Sequence, residues 1–416
     1  MNIVEKILAR ASGEPLVRPD DLVVGEVGTA VMIDGMFSPA MWREILKVAD
    51  PSKIVIVFDH LVPAVDAASA ASHAVGRAFA RRFGIRRFHD VGREQGISHV
   101  IATDYAYALP GTILVNGDSH ACGGGAFNCA ARGVGYPDMY LAITKGEAWF
   151  RVGETIRYEL VGTLPPGVSA KDVFLHIAGT YGGHVNQNIE FGGPGMAGLG
   201  LNARRTLAVM GAELSAQFTI FEPDELLIDY VKRRSTQPFH PTWPDADAGY
   251  REVRTIDLSA MRSLVALPDA VVNSSVPVGE AEGVAIDQAF IGSCANGSLD
   301  DIEVAARIVA GRRVPPGVRL IVTPGSQEIY RAAAGAGHLQ TLAEAGAVVT
   351  SATCGACIGG HMGVLGPEET CITASTRNFK GRMGHPSARI YMASPATVAA
   401  SALAGRIADP APYFQP

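Results

Sequence analysis

Thr353-Cys354-Gly355-Ala356-Cys357-Ile358-Gly359-Gly360 sets two thiols at C-x-x-C spacing in a glycine-rich loop. A third thiol, Cys294, stands 60 positions earlier (354 − 294), in Phe290-Ile291-Gly292-Ser293-Cys294-Ala295-Asn296-Gly297. The short apolar run 289–291 reads as a buried strand, so Cys294 falls just past a strand end. Ligand-bearing loops of α/β proteins sit at that edge. Three chemistries use such thiols. A lone C-x-x-C is a redox dithiol or half of a zinc site, and a structural zinc would take His361 as its nearest fourth ligand. An iron–sulfur cluster on three thiolates would leave one iron without a protein ligand, the open position at which a catalytic metal takes substrate. Spacing alone ranks the redox and zinc readings above the cluster. The rest of the chain reverses that order.

Working outward, the last third alternates strand and helix. Strands are expected at 289–291, 319–322, 347–349 and 371–374, and helices at 302–310 and 326–334. After the last strand comes Ser375-Thr376-Arg377-Asn378-Phe379-Lys380-Gly381-Arg382. Arg377 and Arg382 beside a strand end fit an anion clamp; the ordinary reading is a basic surface patch. A final helix over 395–405 can start on Ser394, with proline at its first position.

The first third shows the same alternation. An apolar strand over 53–58 runs into Asp59-His60. A second, over 112–115, runs into Asn116-Gly117-Asp118-Ser119-His120, with a helix expected over 123–131. Gly96-Ile97-Ser98-His99-Val100 lies between them. A single Asp or His in a loop is ordinarily a solvated cap. Two Asp/His pairs at apolar strand ends are different, because polar groups there must be paired or used. Leu164-Pro165-Pro166-Gly167 breaks helix and strand alike, and Ser169 then offers an N-cap. Glu190 follows, in Asn188-Ile189-Glu190-Phe191-Gly192-Gly193. The stretch 235–250 holds three prolines and no period, and reads as an irregular crossover. These breaks divide the chain into expected domains 1–162, 163–250 and 251–416 of α/β class.

Composition sets the bounds. A chain of 416 residues, 48% hydrophobic, is long enough for several cores. Net charge −6 and the lack of a basic tract exclude a general affinity for nucleic acid or anionic membrane. Any anionic substrate must therefore be held by local arginines. Six cysteines in this length are not a disulfide framework. The opening Met1-Asn2-Ile3-Val4-Glu5-Lys6-Ile7-Leu8 reads as an amphipathic helix, not a secretory signal, and no apolar run reaches membrane-spanning length. A cytoplasmic protein is expected.

Taken in order, Glu5-Lys6-Ile7-Leu8-Ala9-Arg10, Asp59-His60, Gly117-Asp118-Ser119-His120, Leu164-Pro165-Pro166-Gly167, Pro223-Asp224-Glu225, Gly292-Ser293-Cys294 with Asn296, Cys354-Gly355-x-Cys357 and Arg377-Asn378-Phe379-x-Gly381-Arg382 resemble the aconitase superfamily, over nearly the whole chain. The closest likeness is to its isopropylmalate isomerase (3-isopropylmalate dehydratase) large-subunit branch. The resemblance implies three α/β/α domains around a [4Fe–4S] cluster held by Cys294, Cys354 and Cys357, with one iron left open. It implies acid–histidine pairs Asp59 with His60, Asp118 with His99, and Glu190 with His120. It places Ser119, Arg377 and Arg382 at the substrate carboxylates. It also implies that a fourth, swivelling domain, which in single-chain relatives brings a serine base and another arginine, is a separate small subunit.

The implied reaction dehydrates and rehydrates an alkylmalate-type 2-hydroxy dicarboxylate, with 3-isopropylmalate/2-isopropylmalate interconversion in leucine biosynthesis as the default. Homoaconitate, dimethylmalate or a specialised-pathway acid is the alternative. Five positions depart from the pattern: Ile33 before Asp34-Gly35, Ala121-Cys122 after the Asp-Ser-His, Val209, Ala295 and Thr376. The ligands and the acid–base groups are retained, so the departures bear on substrate more than on chemistry; the ordinary reading is neutral drift beside the site.

Overall fold

The computed structural model describes residues 1–415, which form two compact units. Met1–Val161 with His184–Ile256 make the first; Gly162–Gly183 with the chain from Asp257 onward make the second. The chain thus leaves the first unit at the expected break near 162, but returns to it at His184. The reason is a shared sheet. Asn188–Gly192 pairs in parallel with both Thr155–Val161 and Phe218–Phe221, so the stretch 163–250 is divided between the units.

The first unit is built on an all-parallel five-stranded sheet, in the order Arg87–His89, Ile54–Val57, Thr29–Ile33, Ile113–Asn116, Ala130–Gly133. Its strands at 29–33, 54–57 and 113–116 are buried throughout, as continuous apolar runs in parallel sheets require. Ile33 lies opposite Val57, so Asp34 and the segment from Phe58 leave the sheet at the same edge. The opening helix Ile3–Ser12 starts on an Asn2/Glu5 capping box and ends on Gly13 in the left-handed region. Ile3, Val4, Ile7 and Leu8 are fully buried. Each such side chain contributes about 1.5–3 kcal/mol, so this helix belongs to the core.

One expectation fails locally. Residues 119–127 form a run of 3-10 turns, Ser119–Phe127, followed by the strand Ala130–Gly133, where a helix was expected over 123–131. Three consecutive glycines favour no helix, and here they permit close packing. A Cβ on Gly125 would stand 1.6 Å from the Thr219 carbonyl oxygen, and one on Gly123 2.5 Å from Val209.

In the second unit a seven-stranded sheet runs Ser275–Pro277, Leu264–Ala266, Arg389–Ala393, Thr370–Thr373, Gln288–Gly292, Arg319–Thr323, Val348–Val349. The last five are mutually parallel, and Leu264–Ala266 pairs antiparallel with both Arg389–Ala393 and Ser275–Pro277. The expected helices form as Leu299–Val309, Gln327–Gly335 and Pro395–Ala404, the last capped by Ser394. Ser169 caps Ala170–Tyr181. No helix is long and apolar enough to cross a membrane among the described residues.

Candidate functional site

In the first unit, three strand ends and one helix start bring the predicted acids and histidines together. Asp59, fully buried just past Ile54–Val57, accepts from His60 Nδ1 at 2.7 Å and from the Ser98 backbone N–H at 2.8 Å. The second bond ties it to the first residue of the helix Ser98–Asp104, which carries His99. Asp118 follows Ile113–Asn116 and caps the 3-10 run. Its carboxylate meets three imidazoles: His99 Nε2 at 2.9 Å, His60 Nε2 at 3.3 Å and His120 Nδ1 at 3.4 Å. The expected pairs Asp59/His60 and Asp118/His99 are thus in contact. Ser119 is exposed, with Oγ 3.4 Å from His120 Nδ1.

The third expected pair is not formed. His120 Nε2 is held by Glu213 Oε1 at 2.9 Å. Glu190 lies on the buried strand Asn188–Gly192, where it accepts from Arg157 at 2.7 Å, the Tyr250 hydroxyl at 2.5 Å and the Ile3 N–H at 2.9 Å. A carboxylate with three such donors is a structural tie. It anchors the opening helix to the sheet. Glu213 instead sits in the 3-10 turn Gly211–Leu214 that follows the helix Leu201–Met210.

A fourth acid, Asp34, was also not anticipated as a site residue. It is buried at the end of Thr29–Ile33 and accepts from the backbone N–H groups of Asp59, His60 and Leu61. The electrostatics are those of alternating acids and imidazoles. Burial pushes Asp118 up, but hydrogen bonds from His120, His60 and His99 outweigh it and hold the carboxyl well below the usual range. Burial pulls His120 down, and Asp118 with Glu213 more than reverse this, so its pKa is raised. Carboxylates ringed by imidazoles within hydrogen-bonding reach are an arrangement suited to general acid–base work.

The second unit carries the thiols and the arginines. Cys294 lies in the short turn Ser293–Asn296 after Gln288–Gly292. Gly292 and Ser293 both have positive φ, 154° and 66°, and a Cβ on Gly292 would lie 2.5 Å from the Thr323 carbonyl oxygen. A non-glycine residue in the left-handed region costs about 1–3 kcal/mol, and such residues cluster at functional sites. Cys354 caps the 3-10 turn Gly355–Ile358 and Cys357 lies within it, the Cys357 N–H donating to the Cys354 carbonyl at 2.9 Å. All three thiols are buried. Arg382 Nη2 donates to Cys357 Sγ at 3.8 Å, and Thr376 Oγ1 stands 3.7 Å from the same sulfur. Arg377 and Arg382 are partly exposed. Their loop is held by the buried Lys171, donating to the Ser375 carbonyl at 2.9 Å, and by Asn378, donating to those of Leu267 and Ala270 at 2.7 and 2.8 Å.

The donor set fits an iron–sulfur group. Ser293 Oγ and Asn296 Oδ1, on either side of Cys294 in sequence, are buried with no hydrogen-bond partner among the described residues. Buried polar atoms left so call for an external partner. The other cysteines behave differently. Burial pushes the Cys122 and Cys129 thiols up to about 12, and Cys371 is also raised by burial. They remain protonated at neutral pH and are poor ligands.

The Aconitase family (aconitate hydratase) model matches residues 5–282 and 270–405 of this chain. The chain is similar to proteins named 3-isopropylmalate dehydratase large subunit. With that of Mycolicibacterium smegmatis it shares 53% identity over 409 residues, 98% of this chain and 96% of the relative. With one from Methanopyrus kandleri it shares 43% over 418 residues, 99% of both. Among solved structures, holo aconitase X from Thermococcus kodakaraensis superposes with a TM-score of 0.50 at 13% identity, covering 90% of this chain and 88% of that one. That likeness concerns the fold alone.

Proposed function

The chain belongs to the aconitase family, and from that premise we propose that it is the large subunit of a cytoplasmic hydro-lyase that dehydrates and rehydrates an alkylmalate-type 2-hydroxy dicarboxylate. The preferred substrate pair is 3-isopropylmalate and 2-isopropylmalate, as in leucine biosynthesis. The observation that carries this reading is the 53% identity, over 98% of the chain, to a relative of that name.

Cys294, Cys354 and Cys357 would hold a [4Fe–4S] cluster, which when bound supplies a Lewis acid for the poorly leaving hydroxyl. The residues of the chain account for the rest. His60 holds a proton on the ring and gives it to the departing oxygen, while Asp59, 2.7 Å from Nδ1, fixes ring orientation. Asp118 keeps His60, His99 and His120 in register, and Glu213 secures His120 from the far side. Loss of the carbon-bound proton loads charge onto the adjacent carboxylate. Arg377 and Arg382 bind that group, with a planar donor fork that lysine lacks; Ser119 adds a hydroxyl.

A separate small subunit completes the enzyme by bringing the base that removes the carbon-bound proton. Removing such a base costs about 10²–10⁴-fold. The test is to load the chain anaerobically with iron and sulfide and assay it, with and without the small subunit, against isopropylmalate, homoaconitate and dimethylmalate. Turnover of isopropylmalate only with both subunits is expected. Full turnover by the 416-residue chain alone would remove the two-subunit reading. Preference for dimethylmalate or homoaconitate would move the substrate while keeping the reaction.

A further inference from the structure

Asp34 ends one strand of the five-stranded sheet, and the chain carrying Asp59 and His60 leaves the neighbouring strand beside it. Its carboxylate collects three consecutive backbone donors. Oδ1 accepts from the N–H of Asp59 at 3.5 Å and of His60 at 3.2 Å; Oδ2 accepts from the N–H of Leu61 at 2.9 Å. The His60 ring also turns Nδ1 toward it, at 3.5 Å. Behind it stands His73, 2% exposed, stacked on Phe58 with ring centroids 4.5 Å apart. Its Nε2 faces Asp34 Oδ2 at 3.7 Å. A helix presses this arrangement together, since a Cβ on Gly76 would lie 2.7 Å from the Phe58 ring.

The consequence concerns His60. Its imidazole is gripped on both edges, Nδ1 by Asp59 at 2.7 Å and Nε2 by Asp118 at 3.3 Å. Those grips set the ring's angle, but its place in space is set by the backbone at 59–61. Asp34 holds that backbone. Burial pushes its carboxyl up, yet the His60 and His73 rings and the Leu61 N–H bring it below the usual range, so it is a full acceptor for all three donors. An amide could not replace it, because its NH₂ would face an N–H.

We propose that Asp34, backed by His73, is a positioning residue for His60: it clamps the 59–61 backbone so that the imidazole stands where the leaving oxygen needs its proton. This rests on the reading that His60 supplies that proton. A cap that merely stabilises the loop would affect melting and nothing else; a positioning residue affects kcat.

The experiment uses the iron-loaded chain with its small subunit. Asp34→Asn should lower kcat about 10²-fold, the scale of a misplacement near 1 Å, with KM within about threefold and iron per chain unchanged. Amide hydrogen exchange in the peptide spanning 59–61 should accelerate. Wild-type kcat per iron-loaded chain, with only a lower melting temperature, overturns the proposal. Where Asp34→Asn fails to fold, His73→Phe keeps an aromatic ring against Phe58 and removes the ring nitrogen that faces Asp34. It should lower kcat about fivefold at unchanged KM; an unchanged kcat there also overturns it. If the wild-type complex turns over no hydroxy acid, the functional reading fails separately. The clamp is then read from exchange at 59–61 alone, and equal rates in wild type and Asp34→Asn reject it.

Discussion

Glu213→Gln tests the assignment of His120's partner most directly. His120 is 3% exposed, with Asp118 on one nitrogen and Glu213 on the other, the latter at 2.9 Å. Full Coulomb attraction at that distance is about 6 kcal/mol at an effective dielectric near 20. The charges' desolvation offsets most of it, leaving about 1.5–3 kcal/mol for a hydrogen bond to a charged group. That is the expected loss of stability, and it depends on pH. The folded pKa of His120 is raised above its ordinary 6.5. Its contribution is therefore fully present below 6.5 and fades as pH climbs through the raised value. Urea unfolding followed by tryptophan fluorescence reads the right unit, because Trp42, Trp149 and Trp243 all belong to it. The gap between wild type and Glu213→Gln should be largest below pH 6.5 and narrow as pH climbs through the raised value. Glu190→Gln should also destabilise, through Arg157 and Tyr250, but without that pH signature. A gap that ignores pH in Glu213→Gln, or one that follows the histidine in Glu190→Gln, would refute the pairing.

Cys354→Ser should lose iron on anaerobic loading, whereas Cys371→Ser and Cys122→Ser should keep it; full iron loss from Cys371→Ser contradicts the ligand set. Arg382→Lys should retain iron and lose about 10²–10³-fold in turnover, the usual effect of one donor at developing charge; unchanged kinetics would remove the substrate role. Gly125→Ala should fail to accumulate as folded protein, because its Cβ has no room beside Thr219, and a normal melting temperature in that variant would contradict the packing described.

What was legible in the sequence follows a physical divide. Parallel strands buried on both faces announce themselves as apolar runs, so the residues just beyond them, Asp59, Asp118 and Cys294, could be placed at one kind of sheet edge. The C-x-x-C loop and the Arg377/Arg382 loop are local in sequence and carried their own signals. Pairing across distance had no such signal. Glu190 stands on a strand and looked like a site carboxylate, yet Arg157, Tyr250 and Ile3 claim it. Glu213 follows a helix, and only the turn Gly211–Leu214 aims it at His120. The Gly123-Gly124-Gly125 run was misjudged for a related reason. Glycine there serves contact with Thr219 and Val209, which lie far along the chain.

The interleaving of the two units has a consequence for synthesis on the ribosome. The helix Ala170–Tyr181 buries Val173, Phe174, Leu175 and Ile177, and the unit that receives it resumes only at Asp257. It therefore emerges 76 residues (257 − 181) before the first of its remaining partners. At translation rates of about 5–20 residues per second that is a wait of roughly 4–15 s. Meanwhile the strands on both sides of it in the chain close into the other unit's sheet, tethering the unsheltered helix at both ends. An apolar helix held out in this way is a natural handhold for a nascent-chain chaperone, and its exposure should end only when the segment beyond Asp257 has been made.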